Sequence, residues 1–147
     1  MQKFSFQMAN GRPTTLDEYC RRFDISFFDL RLPCIFCFHP VDLAELASFY
    51  IKKLSLVFRG SCYYACCSQC LRLSAKFEQE NYFQCSVYAT GLEDLVGQKI
   101  RDICVRCLCC LKLLDIVEKL DLLYSGEVCY LIRGLWRGYC RNCIKKQ

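Results

Sequence analysis

Eight cysteines constrain this chain more than any other feature. Cys34, Cys37, Cys67 and Cys70 follow the spacing C-x2-C-x29-C-x2-C, and Cys107, Cys110, Cys140 and Cys143 repeat it 73 residues later. A chain with 15 cysteines will contain a stray C-x-x-C, and Cys104 with Cys107 is one. Chance does not readily produce two matched quartets at one constant offset. Each quartet has the ligand spacing of a structural zinc site, and four thiolates leave no coordination position open for water. The reading is two zinc ions per chain, both structural. A disulfide scaffold is the other use of so much cysteine. The odd count argues against it, and so does the absence of an apolar signal-peptide run in residues 1–13. A reducing compartment is expected, and no apolar stretch reaches the roughly 18 residues that suggest a membrane span.

The length of 147 residues suggests one domain, but the repeat implies two. At roughly 70 residues each, a hydrophobic core alone supplies little net stability, and bound metal is the expected remedy. The expected fold class is α/β: two repeated small α+β zinc domains joined by a helical linker. The boundaries read as an arm over 1–13, an N-terminal zinc domain over 14–75, a helical connector over 76–103, a C-terminal zinc domain over 104–143 and a tail over 144–147.

Local signals fill in the elements. Thr15-Leu-Asp-Glu18 predicts a helix start by its capping-box pattern, with Leu16, Tyr19, Cys20 and Phe23 following. Pro40 suits a helical first turn. Leu43, Ala47, Tyr50 and Ile51 share a helical face, and their equivalents Ile116, Leu120, Leu123 and Tyr124 are again apolar. The repeat therefore covers the expected packing face as well as the ligands, although little else in the sequence matches. Leu54–Phe58 and Cys62–Cys66 read as a hairpin turned by Arg59-Gly-Ser61. Tyr130–Ile132 and Trp136–Tyr139 form its counterpart around Arg133-Gly134. The two Arg-Gly pairs lie 74 residues apart, which implies one residue gained or lost. Leu71–Tyr88 reads as helix with Leu73, Phe77, Tyr82 and Phe83 as core contacts. Thr90-Gly-Leu-Glu93 is a second capping-box match. Gly97 interrupts the face formed by Leu92, Leu95, Val96, Ile100 and Ile103.

Little points to catalysis. His39 is the only histidine, so no nucleophile–base constellation forms, and no phosphate-cradling glycine loop exists. The remaining cysteines, Cys20, Cys62, Cys66, Cys85, Cys104, Cys109 and Cys129, read as small core or surface residues. The formal charge of +5 invites a nucleic-acid reading. Eight thiolates set against the four charges of two zinc ions bring it near +1, which leaves that reading weak. Aromatics beside arginines, as at Phe58-Arg59 and Trp136-Arg137, suit an apolar groove with an arginine rim that accepts an acidic amphipathic helix.

With these motifs in place, the chain resembles the papillomavirus early protein six family. The resemblance rests on the two quartets, on Ile103-Cys-Val-Arg-Cys107, on Leu131-Ile-Arg-Gly134 and on Trp136-Arg-Gly-Tyr-Cys140-Arg-Asn-Cys143. It covers about residues 15–143. Leu54–Gly60 and Cys110–Asp115 look most like the cutaneous types. The resemblance implies two zinc domains with a peptide groove between them, no enzymatic activity, and location in the host nucleus and cytoplasm. It further implies capture of acidic Leu-x-x-Leu-Leu helices of host proteins. Mastermind-like coactivators of Notch signalling are the favoured partner, with repression of transcription as the outcome. A HECT-type ubiquitin ligase is the alternative, followed by a zinc nucleic-acid binder. By motif position the groove arginines are Arg59, Arg106 and Arg133, and the apolar wall is Phe36, Leu54, Val57, Phe58 and Leu71. Two departures are present. The chain ends Lys145-Lys-Gln147 rather than in a PDZ-binding motif, so no PDZ partner is expected. Leu135 stands where mucosal types carry arginine, which favours the coactivator over the ligase.

Overall fold

The structure, a computed structural model, describes residues 12–144. The chain divides into two compact units, Met1–Cys70 and Leu71–Gln147. The arm expected over 1–13 lies almost wholly outside the described residues, as does most of the tail. Within the described part of the arm, Pro13 is buried and the Arg12 guanidinium stands 4.3 Å over the Phe58 ring.

The first unit opens with α1 (Leu16–Phe23), whose N-cap Thr15 accepts from the Glu18 N–H as its pattern predicts. Glu18 Oε1 accepts from the Thr14 N–H rather than from Thr15, so the reciprocal bond reaches one residue further back. A knuckle from Pro33 to Pro40 carries the first ligand pair and leads to α2 (Leu43–Ile51). Asp42, not Pro40, caps that helix. The expected strand over Leu54–Phe58 is shorter and shifted: β1 is Val57–Arg59, and it pairs antiparallel with β2 (Cys62–Tyr64). Leu54 and Leu56 precede the strand and are buried in the core.

The second unit takes most of α3 (Ser68–Tyr82), which begins in the first. The helix predicted to run to Tyr88 ends at Tyr82, and β3 (Phe83–Tyr88) replaces its last turns. This strand exists because β5 (Val128–Ile132) pairs with it antiparallel from 40 or more residues away, and local propensity cannot report such a partner. Leu73, Phe77, Tyr82 and Phe83 are all exposed, and the residues α3 buries are Leu71 and Ala75. The Thr90 capping box does not form. Thr90 lies in a 3-10 turn, α4 (Leu92–Val96) has Gly91 at its cap without a side-chain bond, and Glu93 instead accepts from the Ile100 N–H. Gly97 ends α4 in the left-handed region, φ 80°. Then follow β4 (Val105–Cys107), α5 (Ile116–Tyr124), β5 and β6 (Leu135–Gly138), giving a sheet of order β3-β5-β6-β4. β4 runs parallel to β6. The core of this unit gathers Leu92, Ile100, Ile103, Val105, Leu114, Leu122 and Cys129 around the metal-spaced cysteines.

The internal repeat runs far deeper than the letters suggest. Cys34 N–H donates to the His39 carbonyl and Cys107 N–H to that of Lys112. Ile35 donates to Ala65 as Leu108 does to Gly138, and Val41 to Leu32 as Leu114 does to Val105. Every one of these pairs is offset by 73. Phe38 and Leu111 both take positive φ, 62° and 65°. The hairpins obey the same offset. Arg59 faces Cys62 as Ile132 faces Leu135, and the two-residue turns are Gly60-Ser61 and Arg133-Gly134, all four at positive φ. This is the type I′ pattern that matches strand twist. No residue was gained or lost, and the Arg-Gly pairs are a coincidence of spelling.

The apolar helical face read as packed is packed only in part: Leu43 and Ala47 are half-buried, and Leu120 and Leu123 lie half-buried against the core of the second unit. Tyr50 and Ile51 are exposed, as are Ile116 and Tyr124, while α2 buries Leu46 and Phe49 and α5 buries Glu118, Lys119 and Leu122. In units this small a helix has apolar residues to spare, so periodicity alone cannot select the core side. Among the described residues no helix is long and apolar enough to cross a membrane.

Candidate metal centres and arginine face

The four ligand atoms of each predicted quartet lie within 4.8 Å of one another. Cys37 Sγ is 3.9 Å from Cys67 Sγ, and the equivalent pair Cys110 and Cys140 is at 3.8 Å. A tetrahedron with zinc–sulfur bonds of about 2.3 Å has an edge of about 3.8 Å, so both clusters have the size zinc needs. The knuckles supply the first pair of each, and the segment after the returning strand supplies the second. Backbone N–H groups converge on the first ligand of each set: Cys67 N–H reaches Cys34 Sγ at 3.5 Å, and Cys140 N–H reaches Cys107 Sγ at 3.5 Å.

Electrostatics make the same point. Burial resists ionisation of Cys34, but N–H donors from Cys37, Cys67 and Phe36 outweigh it and bring the thiol to about 6. Cys107 falls to about 4, through its bond from Cys110 and donors from Cys140, Cys110 and Cys109, against the opposing effect of burial. Cys67, Cys70, Cys110 and Cys143 move the opposite way. Burial and the neighbouring sulfurs raise Cys70, and the Cys107 contact and burial raise Cys110. Burial and the Cys107 charge push Cys143 up to about 12. Each cluster thus favours one thiolate and resists ionisation at two more of its thiols until a cation balances the charge. A divalent metal held by four thiolates meets that demand, and its binding must release protons. Bound zinc would be held by Cys34, Cys37, Cys67 and Cys70 in one unit and by Cys107, Cys110, Cys140 and Cys143 in the other.

Around each cluster a carboxylate ties helix to ligand loop, a feature the sequence reading missed. Glu45 Oε2 accepts from Ser68 N–H at 3.1 Å, one residue after Cys67, and Glu118 Oε2 accepts from Arg141 N–H at 3.0 Å, one residue after Cys140. Both glutamates donate their own N–H to the helix N-cap, Asp42 or Asp115, at 2.8 Å. Asp115 and Glu118 form the reciprocal capping box, and Lys112 Nζ sits 3.0 Å from buried Glu118. The sequence carries the signal as Asp-x-x-Glu at the 73-residue offset, Asp42 with Glu45 and Asp115 with Glu118. Of the other cysteines, Cys66 and Cys129 are buried and Cys62, Cys85 and Cys104 exposed.

The residues assigned to a peptide groove fall in both units. In the first, Phe36 and Arg59 are exposed, Val57 and Phe58 half-buried and Leu54 buried. In the second, Leu71 is buried, Arg106 half-buried and Arg133 exposed. Ser86, Tyr130, Arg137 and Arg106 stand opposite one another across the four-stranded sheet, so their side chains share a face. Arg106 Nη1 donates to the Leu111 carbonyl at 2.9 Å. Burial lowers its pKa; the nearby Cys104 opposes this, and the Arg137 charge adds to it. Glu78 on α3 bridges two guanidiniums, Arg137 Nη2 at 3.1 Å and Arg133 Nη1 at 3.3 Å.

Paired α+β units, each closing around four cysteines, define a tandem structural-zinc protein of mixed α and β structure. Comparison with known proteins makes this specific: the family model of Early Protein (E6) matches residues 34–143, and the chain belongs to that papillomavirus family. It is 79% identical over 140 residues to Protein E6 of Human papillomavirus 4, covering 95% of this chain and 100% of the relative. Protein E6 of Human papillomavirus 65 is 76% identical with the same coverage. Protein E6 of Human papillomavirus type 60 is 50% identical, covering 95% of this chain and 99% of the relative. Among solved structures, the C-terminal zinc-binding domain of HPV51 oncoprotein E6 is 34% identical. It covers 42% of this chain and 82% of its own, with a TM-score of 0.39.

Proposed function

We infer that the protein is a non-enzymatic viral adaptor that captures acidic Leu-x-x-Leu-Leu helices of host proteins in the nucleus and cytoplasm. The observation that supports this best is the arginine face of the second unit, where Arg133 stands exposed and Arg106 lies half-buried, with the buried Arg137 behind them. Such a surface favours carboxylates through charge-assisted, fork-shaped hydrogen bonds. Ligand leucines supply the affinity by apolar burial against the half-buried Val57 and Phe58, which the buried Leu54 supports from the core, and the arginines set orientation and partner choice.

The favoured partner is a Mastermind-like coactivator, with repression of Notch-dependent transcription as the consequence, and a HECT-type ubiquitin ligase is the second choice. Leu135, in place of a mucosal-type arginine, supports that order. The test is titration of a Mastermind-like C-terminal peptide and a HECT-ligase peptide against zinc-loaded wild type, Arg106→Glu and Leu54→Arg. Both substitutions are expected to weaken the coactivator peptide by at least about tenfold, the equivalent of 1.4 kcal/mol. Unchanged affinity in both would remove the groove from these residues, and binding of the ligase peptide alone would reverse the partner choice.

A further inference from the structure

The arginine face holds an imbalance that its described contacts do not resolve. The Arg137 side chain is 3% exposed. A guanidinium carries five N–H donors, and one of them, on Nη2, meets Glu78 Oε1. Nε and Nη1 are buried with no hydrogen-bond partner among the described residues. Buried donors left unserved are rare and costly. The second oxygen of the same carboxylate, Glu78 Oε2, accepts instead from Arg133 Nη1 at 3.3 Å. Arg133 has little need of it. Its side chain is 61% exposed, and its guanidinium also lies 4.9 Å over the Tyr82 ring. Glu78 is therefore divided between a buried arginine that lacks acceptors and an exposed arginine that another carboxylate can reach.

We propose, on the reading that this face binds acidic helices, that Glu78 and Arg137 are positioning residues that set the preference for acidic over neutral ligands. A ligand carboxylate takes over Arg133. The Glu78 oxygen it displaces turns to the unused donors of Arg137 and completes a two-bond fork on the buried guanidinium. A neutral ligand displaces nothing and leaves those donors unserved. The buried arginine thus rewards acid at a neighbouring residue without touching the ligand. Charge agrees with this: Arg106, Arg133 and Arg137 lie close together, and Glu78 is the carboxylate shared by two of them.

The test uses the zinc-loaded full chain and two synthetic helical peptides with the same Leu-x-x-Leu-Leu box. One is flanked by Asp and Glu, the other by Asn and Gln. Wild type should prefer the acidic peptide by about tenfold or more, the scale of one charge-assisted hydrogen bond. Arg137→Met should bring that ratio close to one through loss on the acidic peptide alone. Arg137→Lys keeps the charge but not the fork, so it should restore little of the ratio; full rescue by lysine overturns the relay in favour of simple charge attraction. If the methionine variant loses zinc, the lysine variant and the arginine Nε–H resonances of wild type decide. The Arg137 signal should shift with the acidic peptide and not with the amide peptide, and a signal that ignores both overturns the proposal. A third peptide with its leucines changed to alanine separates the two readings. Binding as strong as the parent's overturns the helix-capture function itself. Full leucine dependence with equal affinity for acidic and amide peptides overturns the relay alone.

Discussion

Glu118 shows how much a single carboxylate can organise beside a zinc site. Its side chain is 1% exposed, yet it accepts from Arg141 N–H and Asp115 N–H and pairs with Lys112. Burial alone would raise its pKa, but the Arg141 and Asp115 donors and then Lys112 outweigh this and hold it below the ordinary carboxylate value. Removing the acceptor strands buried donors, each worth on the order of 1–3 kcal/mol. Glu118→Ala should therefore destabilise the second unit by about that amount per stranded donor, read as a lowered thermal midpoint with the zinc content unchanged at the start. Glu45→Ala, with its side chain less buried and one bond to Ser68, should cost less. A larger effect at Glu45 would contradict the account. Residues of this kind were within reach of the sequence, since Asp42 with Glu45 and Asp115 with Glu118 obey the cysteine offset. Arg137 was not, because nothing in a string of letters reveals that a strand arginine is buried.

Elements were legible in proportion to how local their causes are. The cysteine quartets survive as a spacing rule because metal ligation imposes a metric, and Thr15 announced its helix because capping acts within one turn. β3 was read as helix because its existence depends on β5. The hairpin offset was misjudged because turn geometry depends on φ, which Gly60-Ser61 and Arg133-Gly134 satisfy with different residues at each place. Close packing of elements is equally invisible in sequence. Gly138 on β6 faces α5 so tightly that a Cβ there would stand 2.8 Å from Leu122 Cδ1 and 3.6 Å from Val105 Cγ1. Leu122 and Val105 are both fully buried, so neither can swing into solvent. Gly138→Ala should cost about 1–3 kcal/mol by overpacking. Thermal unfolding of the zinc-loaded variant measures it, and a midpoint equal to wild type would show that Leu122 can yield. The equivalent position in the first unit is Ala65, buried without complaint.

At the scale of the molecule, two metal centres of one design differ in shelter. All four ligands are buried in the second, whereas only Cys34 is buried in the first. Access of water and chelator to the sulfurs should therefore make the first centre the quicker to exchange. In cadmium-substituted protein, with the two metal resonances assigned by Cys67→Ser, chelator should bleach the first-unit signal ahead of the second, and the reverse order would contradict this. The 73-residue correspondence also means that each half displays a tolerated alternative for the other. Lys53 and Gly126 hold the same left-handed turn at φ 60° and 67°, Phe38 and Leu111 the same knuckle, and Leu46 and Lys119 the same buried helical position. The molecule therefore carries its own two-sequence alignment. Where the halves agree, at Asp42 and Asp115 or at Glu45 and Glu118, the shared architecture has kept its residue. Where they differ, the backbone has been preserved while the side chain was free to drift.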